Sequence, residues 1–200
     1  MSEAVFLKGV MAVLSPMSRE DYQVYYQRWI NDREVVRYLV RGTQPMSVES
    51  MGRLYDAMEA NPGEFELCVR DAKSGAPIGI TGLHSIQAAA RSAEFRVLLG
   101  EKDFWGRGIG REVLQLMVAY GMEMLNLNKV WLGVSTENQR ALRSYLNCGF
   151  VEEGTLRQEV FRNGRYYDVR RMSMLRDEYL QRVEQWPTFT SIQTQLRPSA

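Results

Sequence analysis

Residues Trp105 to Glu112 read W-G-R-G-I-G-R-E, with glycine at every second position from 106 to 110. The string stands between a strand-like run, Phe95 to Leu99, and a long amphipathic helix that begins near Gly108. Closely spaced glycines let main-chain N–H groups turn inward without Cβ interference. The helix that follows adds unpaired N–H donors and roughly half a positive charge at its start. This is the layout of a backbone anion cradle, and a phosphate-bearing ligand is expected there. A tight strand-to-helix connection with no ligand would leave the same string.

Spacing narrows the ligand. A dinucleotide fingerprint needs G-x-G-x-x-G, but Arg111 follows Gly110, so Gly106 and Gly108 lack their third partner. A P-loop needs G-x-x-x-x-G-K-[ST], and the chain contains no such string. A second element lies downstream. Glu137 to Phe150 reads E-N-Q-R-A-L-R-S-Y-L-N-C-G-F, a short helix with Ala141, Leu142, Tyr145 and Leu146 at helical spacing, ended by Gly149.

Together these residues resemble the GNAT acyltransferase superfamily. Its signature is a Gly-rich pyrophosphate loop, here Gly106, Gly108 and Gly110, followed about a strand later by N-x-x-A-x-x-x-Y-x-x-x-G-F. That motif is matched by Asn138, Ala141, Tyr145, Gly149 and Phe150. The resemblance runs from about Ile78 to Leu175 and is closest to the branch holding spermidine, ribosomal-protein alanine and amino-sugar N-acetyltransferases. One position departs from it. The family loop is usually Q/R-x-x-G-x-G/A, and Trp105 takes the place of the first polar residue, which removes one polar contact.

The resemblance implies acetyl-CoA as co-substrate, no metal, and direct acetyl transfer to a primary amine of an amino sugar, a polyamine or a peptide N-terminus. The cofactor residues it implies are Trp105, Gly106, Arg107, Gly108, Ile109, Gly110 and Arg111 in the loop, and Asn138, Ala141 and Tyr145 in the second motif. Leu98 and Leu99 are implied through a backbone N–H that polarises the thioester. Arg107 and Arg111 also read as ordinary surface charges, and Asn138 as a simple helix cap. The resemblance also carries the expectation of a homodimer.

The chemistry sets further requirements. A primary amine with pKa near 10.4 is neutral in only about one molecule per thousand at pH 7, so the site must take up a proton. Glu94 is the candidate receiver: alternation places Glu94, Arg96 and Leu98 on one face and Ala93, Phe95, Val97 and Leu99 on the other. Its plainer reading is a cross-strand pair with an arginine or a solvated edge charge. Tyr145 is the candidate proton donor to the leaving thiolate, since a phenol is protonated at neutral pH. His84 is expected to line the acceptor pocket, to act as a base, or to be a structural histidine. Cys148 has no histidine in its motif to activate it and reads as packing. The loop from Arg37 to Met46 carries Arg37 and Arg41 and no carboxylate, which leans toward an acceptor with negative charge, although Glu34, Glu49, Asp56 and Glu59 lie nearby. A non-catalytic acyl-CoA-binding module is the rival reading.

Bulk properties agree with one globular domain. The chain has 200 residues, 45% of them hydrophobic, with no visible repeat and a net charge of +1. That charge argues against nucleic-acid binding. The apolar runs are too short to span a bilayer and the N-terminus lacks a signal-like segment, so no membrane association is expected. Two distant cysteines and one histidine give neither a disulfide framework nor metal-ligand spacing, and a reducing cytoplasm is the expected location.

Periodicity orders the elements as strand, helices, three strands, helix, strand, helix and hairpin. The strands fall at Phe6 to Leu14, Phe65 to Arg70, Ile78 to Ser85, Ala93 to Leu99, Val130 to Val134, Val151 to Phe161 and Tyr166 to Leu175. Ser18 reads as the N-cap of a helix through Tyr22 and Trp29, Asn31 to Val40 as a second helical segment, and Ser47 as the start of a third. The long helix is expected to place Ile109, Val113, Leu116, Tyr120 and Met124 on one stripe. Asn163-Gly164 is a hairpin signal. The expectation is a mixed α/β, seven-stranded sheet flanked by helices over residues 1–180. The resemblance adds a central splay between the strands at 93–99 and 130–134. The segment 181–200 reads as a polar, loosely attached extension.

Overall fold

The computed structural model describes residues 4–39 and 44–197. Its sheet has eight strands in the order β1-β2-β3-β4-β5-β6-β8-β7. These are β1 Leu7–Lys8, β2 Ala12–Pro16, β3 Phe65–Asp71, β4 Pro77–Gln87, β5 Ser92–Leu99, β6 Lys129–Ser135, β7 Val151–Arg162 and β8 Arg165–Leu175. The eighth strand arises because the run expected as one strand, Phe6 to Leu14, folds back on itself. Gly9 N–H bonds to Ala12 O at 2.8 Å, and Leu7 pairs with Leu14. Gly9 is fixed by a close approach: a Cβ there would lie 2.1 Å from Glu112 Oε1.

Pairing is antiparallel throughout except between β5 and β6. Those two run parallel for three residues, ending at Glu94 opposite Trp131. Beyond that pair both strands continue without pairing to each other, β5 to Leu99 and β6 to Ser135, and the sheet splays. The β7–β8 hairpin closes at Asn163-Gly164, whose φ values of 50° and 79° are both positive, as a two-residue primed turn requires.

Helices cover both faces. Asp21 N–H bonds to Ser18 Oγ at 3.0 Å and Ser18 N–H bonds back to Asp21 Oδ2 at 2.9 Å, a reciprocal cap. The helix it starts has a π-helical stretch, Asp21–Tyr26, that continues as α1, Gln27–Ile30. Ser47 caps α2, Val48–Glu59. Tyr22, Tyr26, Trp29 and Met51 from this pair of helices pack with Cys68 and Ile80 on one face of the sheet. The second helical segment expected at Asn31 to Val40 is a series of turns instead. Asp32 Oδ1 takes the Glu34 N–H at 2.9 Å, and Lys102 Nζ clamps Asp32 and Glu34 from β5's far end. Val40 falls outside the described residues.

The opposite face is built around α3, Ile109–Glu123, whose residues Val113 to Ala119 are all buried. The expected stripe holds through Tyr120, but Met124 lies past the last turn and is exposed. Beside α3 pack α4, Gln139–Cys148, α5, Arg176–Arg182, and α6, Phe189–Leu196. Residues 181–197 are thus not loose. Val183, Trp186 and Ile192 are buried in the same core as α3. Thr188 Oγ1 donates to Gln115 Oε1 at 3.0 Å, and Gln195 exchanges two hydrogen bonds with the Lys8 backbone. Three apolar anchors interrupted by Pro187 leave too little periodicity to read from sequence.

Candidate active site

The glycine loop has the conformation its sequence demands. Gly106 and Gly108 sit at φ 77° and 91°, a region closed to most side chains, and Gly108 is the N-cap of α3. Helical hydrogen bonding begins only with the Arg111 and Glu112 N–H groups, which both bond to Gly108 O. The earlier N–H groups of the turn therefore point out of the helix end, where the helix dipole favours an anion. A carboxylate in this first turn would compete for them. Glu112, only 5% exposed, is turned away: Oε1 accepts the Met11 and Ala12 N–H groups at 2.8 Å each.

Basic side chains frame the loop. Arg107 and Arg111 are exposed, and the Arg107 guanidinium lies over the Phe104 ring at 5.2 Å. Arg140, which sequence reasoning did not single out, lies 5.3 Å from the centre of the Trp105 ring and joins the start of α4 to the loop. Ile109 is buried under the helix start, and Gly110 faces Leu99, where a Cβ would meet Cδ1 at 3.8 Å.

The splay exposes one edge of β5. Lys129 N–H bonds to Arg91 O at one end of the strand, and Gly100 N–H bonds to Ile78 O at the other. Both bonds fix the same alternation: even-numbered residues turn their polar backbone groups to β4, odd-numbered ones toward β6. Of the two candidate donors, Leu98 thus directs its N–H to β4, opposite Ile80, and Leu99 directs its N–H into the splay, as does Val97.

Helix α4 borders the other side. Asn138 caps it by accepting the Ala141 N–H at 3.2 Å, so at least one oxygen of Asn138 is structural. Ala141 and Tyr145 pack against the central core from half-buried positions. Gly149 ends the helix at φ 99°, with Arg182 so close that a Cβ would meet its Cδ at 2.3 Å. Burial pushes the Tyr145 phenol up to about 12, with the neighbouring Cys148 thiol adding to the effect. Burial likewise raises Cys148 to about 11, against a smaller opposing pull from Arg111.

Both groups therefore hold their protons more tightly folded than unfolded. The stability this contributes is fully present below the unfolded values of 9.0 and 10.0 and is lost as pH rises toward 11 and 12. Thermal unfolding is expected to fall steadily in midpoint above pH 9, and Cys148→Ala to flatten the first part of that decline. An unchanged slope in the variant would count against a buried thiol.

On the α1–α2 face the structure gathers charge that sequence did not reveal. Glu94 is opposite His84 across β4–β5 and opposite Trp131 across β5–β6, at the vertex of the splay. Its side chain is 16% exposed, and Oε2 takes Arg96 Nη2 at 2.6 Å, an ion pair with an arginine of the same strand rather than the cross-strand pair of the plainer reading. His84, 1% exposed, lies between two further carboxylates: Nδ1 is 3.2 Å from Glu64 Oε2 and Nε2 is 3.4 Å from Glu66 Oε1. The Tyr22 hydroxyl donates to the other oxygen of Glu66. Glu64 and Glu66 come from β3 and the turn before it, and only the β3–β4 register brings them to His84. Of the two arginines that suggested an anionic acceptor, Arg37 donates to its neighbour Tyr38 at 2.7 Å, and Arg41 lies outside the described residues. No group of three or more potential metal ligands occurs among the described residues, and none of their helices is long and apolar enough to cross a membrane.

Residues 12–151 fit the family model of the acetyltransferase (GNAT) domain. The chain belongs to this family. Among its relatives is the spermidine N(1)-acetyltransferase of Vibrio cholerae, 36% identical over 154 residues that cover 77% of this chain and 87% of that protein. The Escherichia coli spermidine N(1)-acetyltransferase is 32% identical, covering 94% of this chain and 95% of its own. A crystal structure of the Vibrio cholerae enzyme with CoA and spermine superposes with a TM-score of 0.78 at 34% identity, over 85% of this chain and 98% of that one. The chain is an acetyl-CoA-dependent N-acetyltransferase.

Proposed function

We propose that this acetyltransferase acts on a polyamine or a similar amine with more than one positive charge, in one direct step. The observation that carries the reading is a set of carboxylates on one sheet face, Glu94 at the vertex of the splay and, beyond His84, Glu64 and Glu66 at β3. With Arg96 the one guanidinium paired into this set among the described residues, negative charge is in excess there, which favours a cationic acceptor. The spermidine-acetylating relatives support the same class.

The residues that hold acetyl-CoA in this reading are the N–H groups from Gly106 to Gly110 and the side chains of Arg107, Arg111 and Arg140 for the phosphates. Val97 and Leu99 offer strand-like hydrogen bonds to the pantetheine arm. When bound, acetyl-CoA supplies a thioester carbonyl for the amine and a thiolate to leave. The Leu99 N–H is the donor aimed at the carbonyl oxygen, a role typically worth about 3 kcal/mol of barrier. Glu94 takes the amine proton, and Tyr145 supplies one to the departing sulfur.

A phenol near 12 is a weak acid for that task, since an ordinary thiol lies near 8.5. Burial of the departing thiolate would raise its basicity and narrow that gap.

Thiol release measured over spermidine, amino sugars, aminoacyl nucleotides and N-terminal peptides tests the reading. Spermidine is expected to give the highest kcat/KM. A higher value for an acceptor bearing phosphate would overturn the polyamine reading. Acetyl-CoA that raises thermal stability while no acceptor raises release above hydrolysis would instead favour a non-catalytic binding module.

A further inference from the structure

Trp105 stands where the family loop usually carries a polar residue. Its indole is half-buried, and Nε1–H donates to Leu99 O at 2.8 Å. Leu99 is the last residue of β5, and its carbonyl belongs to the set of backbone groups that face the splay. The same peptide unit ends in the Gly100 N–H, which bonds to Ile78 O at 2.9 Å. Both ends of the Leu99–Gly100 peptide are therefore tied, one to β4 and one to Trp105. Trp29 covers Gly100 so closely that a Cβ there would lie 2.1 Å from its ring, which keeps this peptide from moving toward α1.

An untied Leu99 carbonyl would have two harmful effects. It would offer β6 an acceptor with which to zip the splay shut. It would also aim a negative dipole end into the space where negative charge develops on the thioester oxygen. The indole N–H removes both. It leaves the Leu99 N–H as the one polar backbone group of that residue open to the splay. The Arg140 guanidinium, 5.3 Å from the ring centre, then couples this arrangement to α4, the helix that carries Tyr145.

We propose that Trp105 is a positioning residue for acetyl transfer: by binding the Leu99 carbonyl it holds the end of β5 open and fixes the direction of the Leu99 N–H. It acts through Leu99, and this role rests on the reading that the thioester lies in the splay. One consequence is a register for the cofactor arm: Leu99 O is withheld from it as an acceptor, while Val97 and Leu99 offer it N–H donors.

Trp105→Phe keeps most of the ring and deletes the donor. Its kcat is expected to fall roughly three- to tenfold, the range that one net hydrogen bond supplies. Acetyl-CoA affinity by calorimetry is expected to stay within about twofold of the unsubstituted enzyme. Unchanged kcat overturns the proposal, as does a fall in affinity equal to the fall in kcat/KM, which would make Trp105 a plain cofactor contact. Nitrogen-labelled NMR gives a second readout independent of turnover and of the variant's folding. The Trp105 indole N–H of the unsubstituted enzyme is expected to exchange slowly with solvent, and exchange as fast as a free indole overturns the proposal. Failure of the unsubstituted enzyme to bind acetyl-CoA would instead remove the reading on which this role rests.

Discussion

Tyr145→Phe is expected to lower kcat by about a hundredfold or more, the lower end of what a general acid contributes, while acetyl-CoA affinity changes by no more than about twofold. The ring stays in place against Phe150, 6.1 Å away between centres, so packing is preserved and only the hydroxyl is lost. The phenol lies near 12, so it stays protonated across the neutral range and its own ionisation sets no limb of the pH profile there. Deleting it should therefore lower the plateau of the pH–kcat curve without moving its inflections. Single-turnover acetyl transfer and calorimetry separate the two quantities, and equal turnover in the variant would take Tyr145 out of proton transfer.

The second large effect is on stability. Glu112→Ala is expected to cost about 3 kcal/mol, because the carboxylate oxygen that accepts two buried-side N–H groups, of Met11 and Ala12, leaves both without a partner. For a domain of this size that corresponds to a fall in Tm of roughly 6–12 °C. Glu112→Gln retains an oxygen at the same place and should lose much less. The contrast matters because Glu112 lies in the first turn of α3, where a carboxylate could be mistaken for a cofactor or catalytic group. Similar Tm values for the alanine and glutamine variants would mean that the β1–β2 turn does not depend on this acceptor.

Local signals made the centre of the molecule legible from sequence. Gly106 and Gly108 had to turn at positive φ, Asn163-Gly164 had to close a hairpin, and Ser47 had to cap a helix, because each is a choice made within a few residues. The splay and the use of acetyl-CoA came from the resemblance of two motifs. What stayed hidden depends on long-range register. Glu64 and Glu66 meet His84 only through the pairing of β3 with β4, and the bond from Trp105 to Leu99 needs the chain to turn back after β5. The anchors at Val183, Trp186 and Ile192 form no helical period, so a docked segment read as a loose one. The split of the first strand turned on Gly9 meeting Glu112, about a hundred residues away in the chain.

Backbone hydrogen exchange with and without acetyl-CoA tests most directly the claim that the cofactor's phosphates sit on the Gly106–Gly110 turn and its arm on β5. Binding is expected to slow exchange at Val97 and Leu99 and across Gly106 to Arg111, and to leave the β7–β8 hairpin turn at Asn163-Gly164 unchanged. Tight binding with no protection at Leu99 or at the glycine turn would contradict the account.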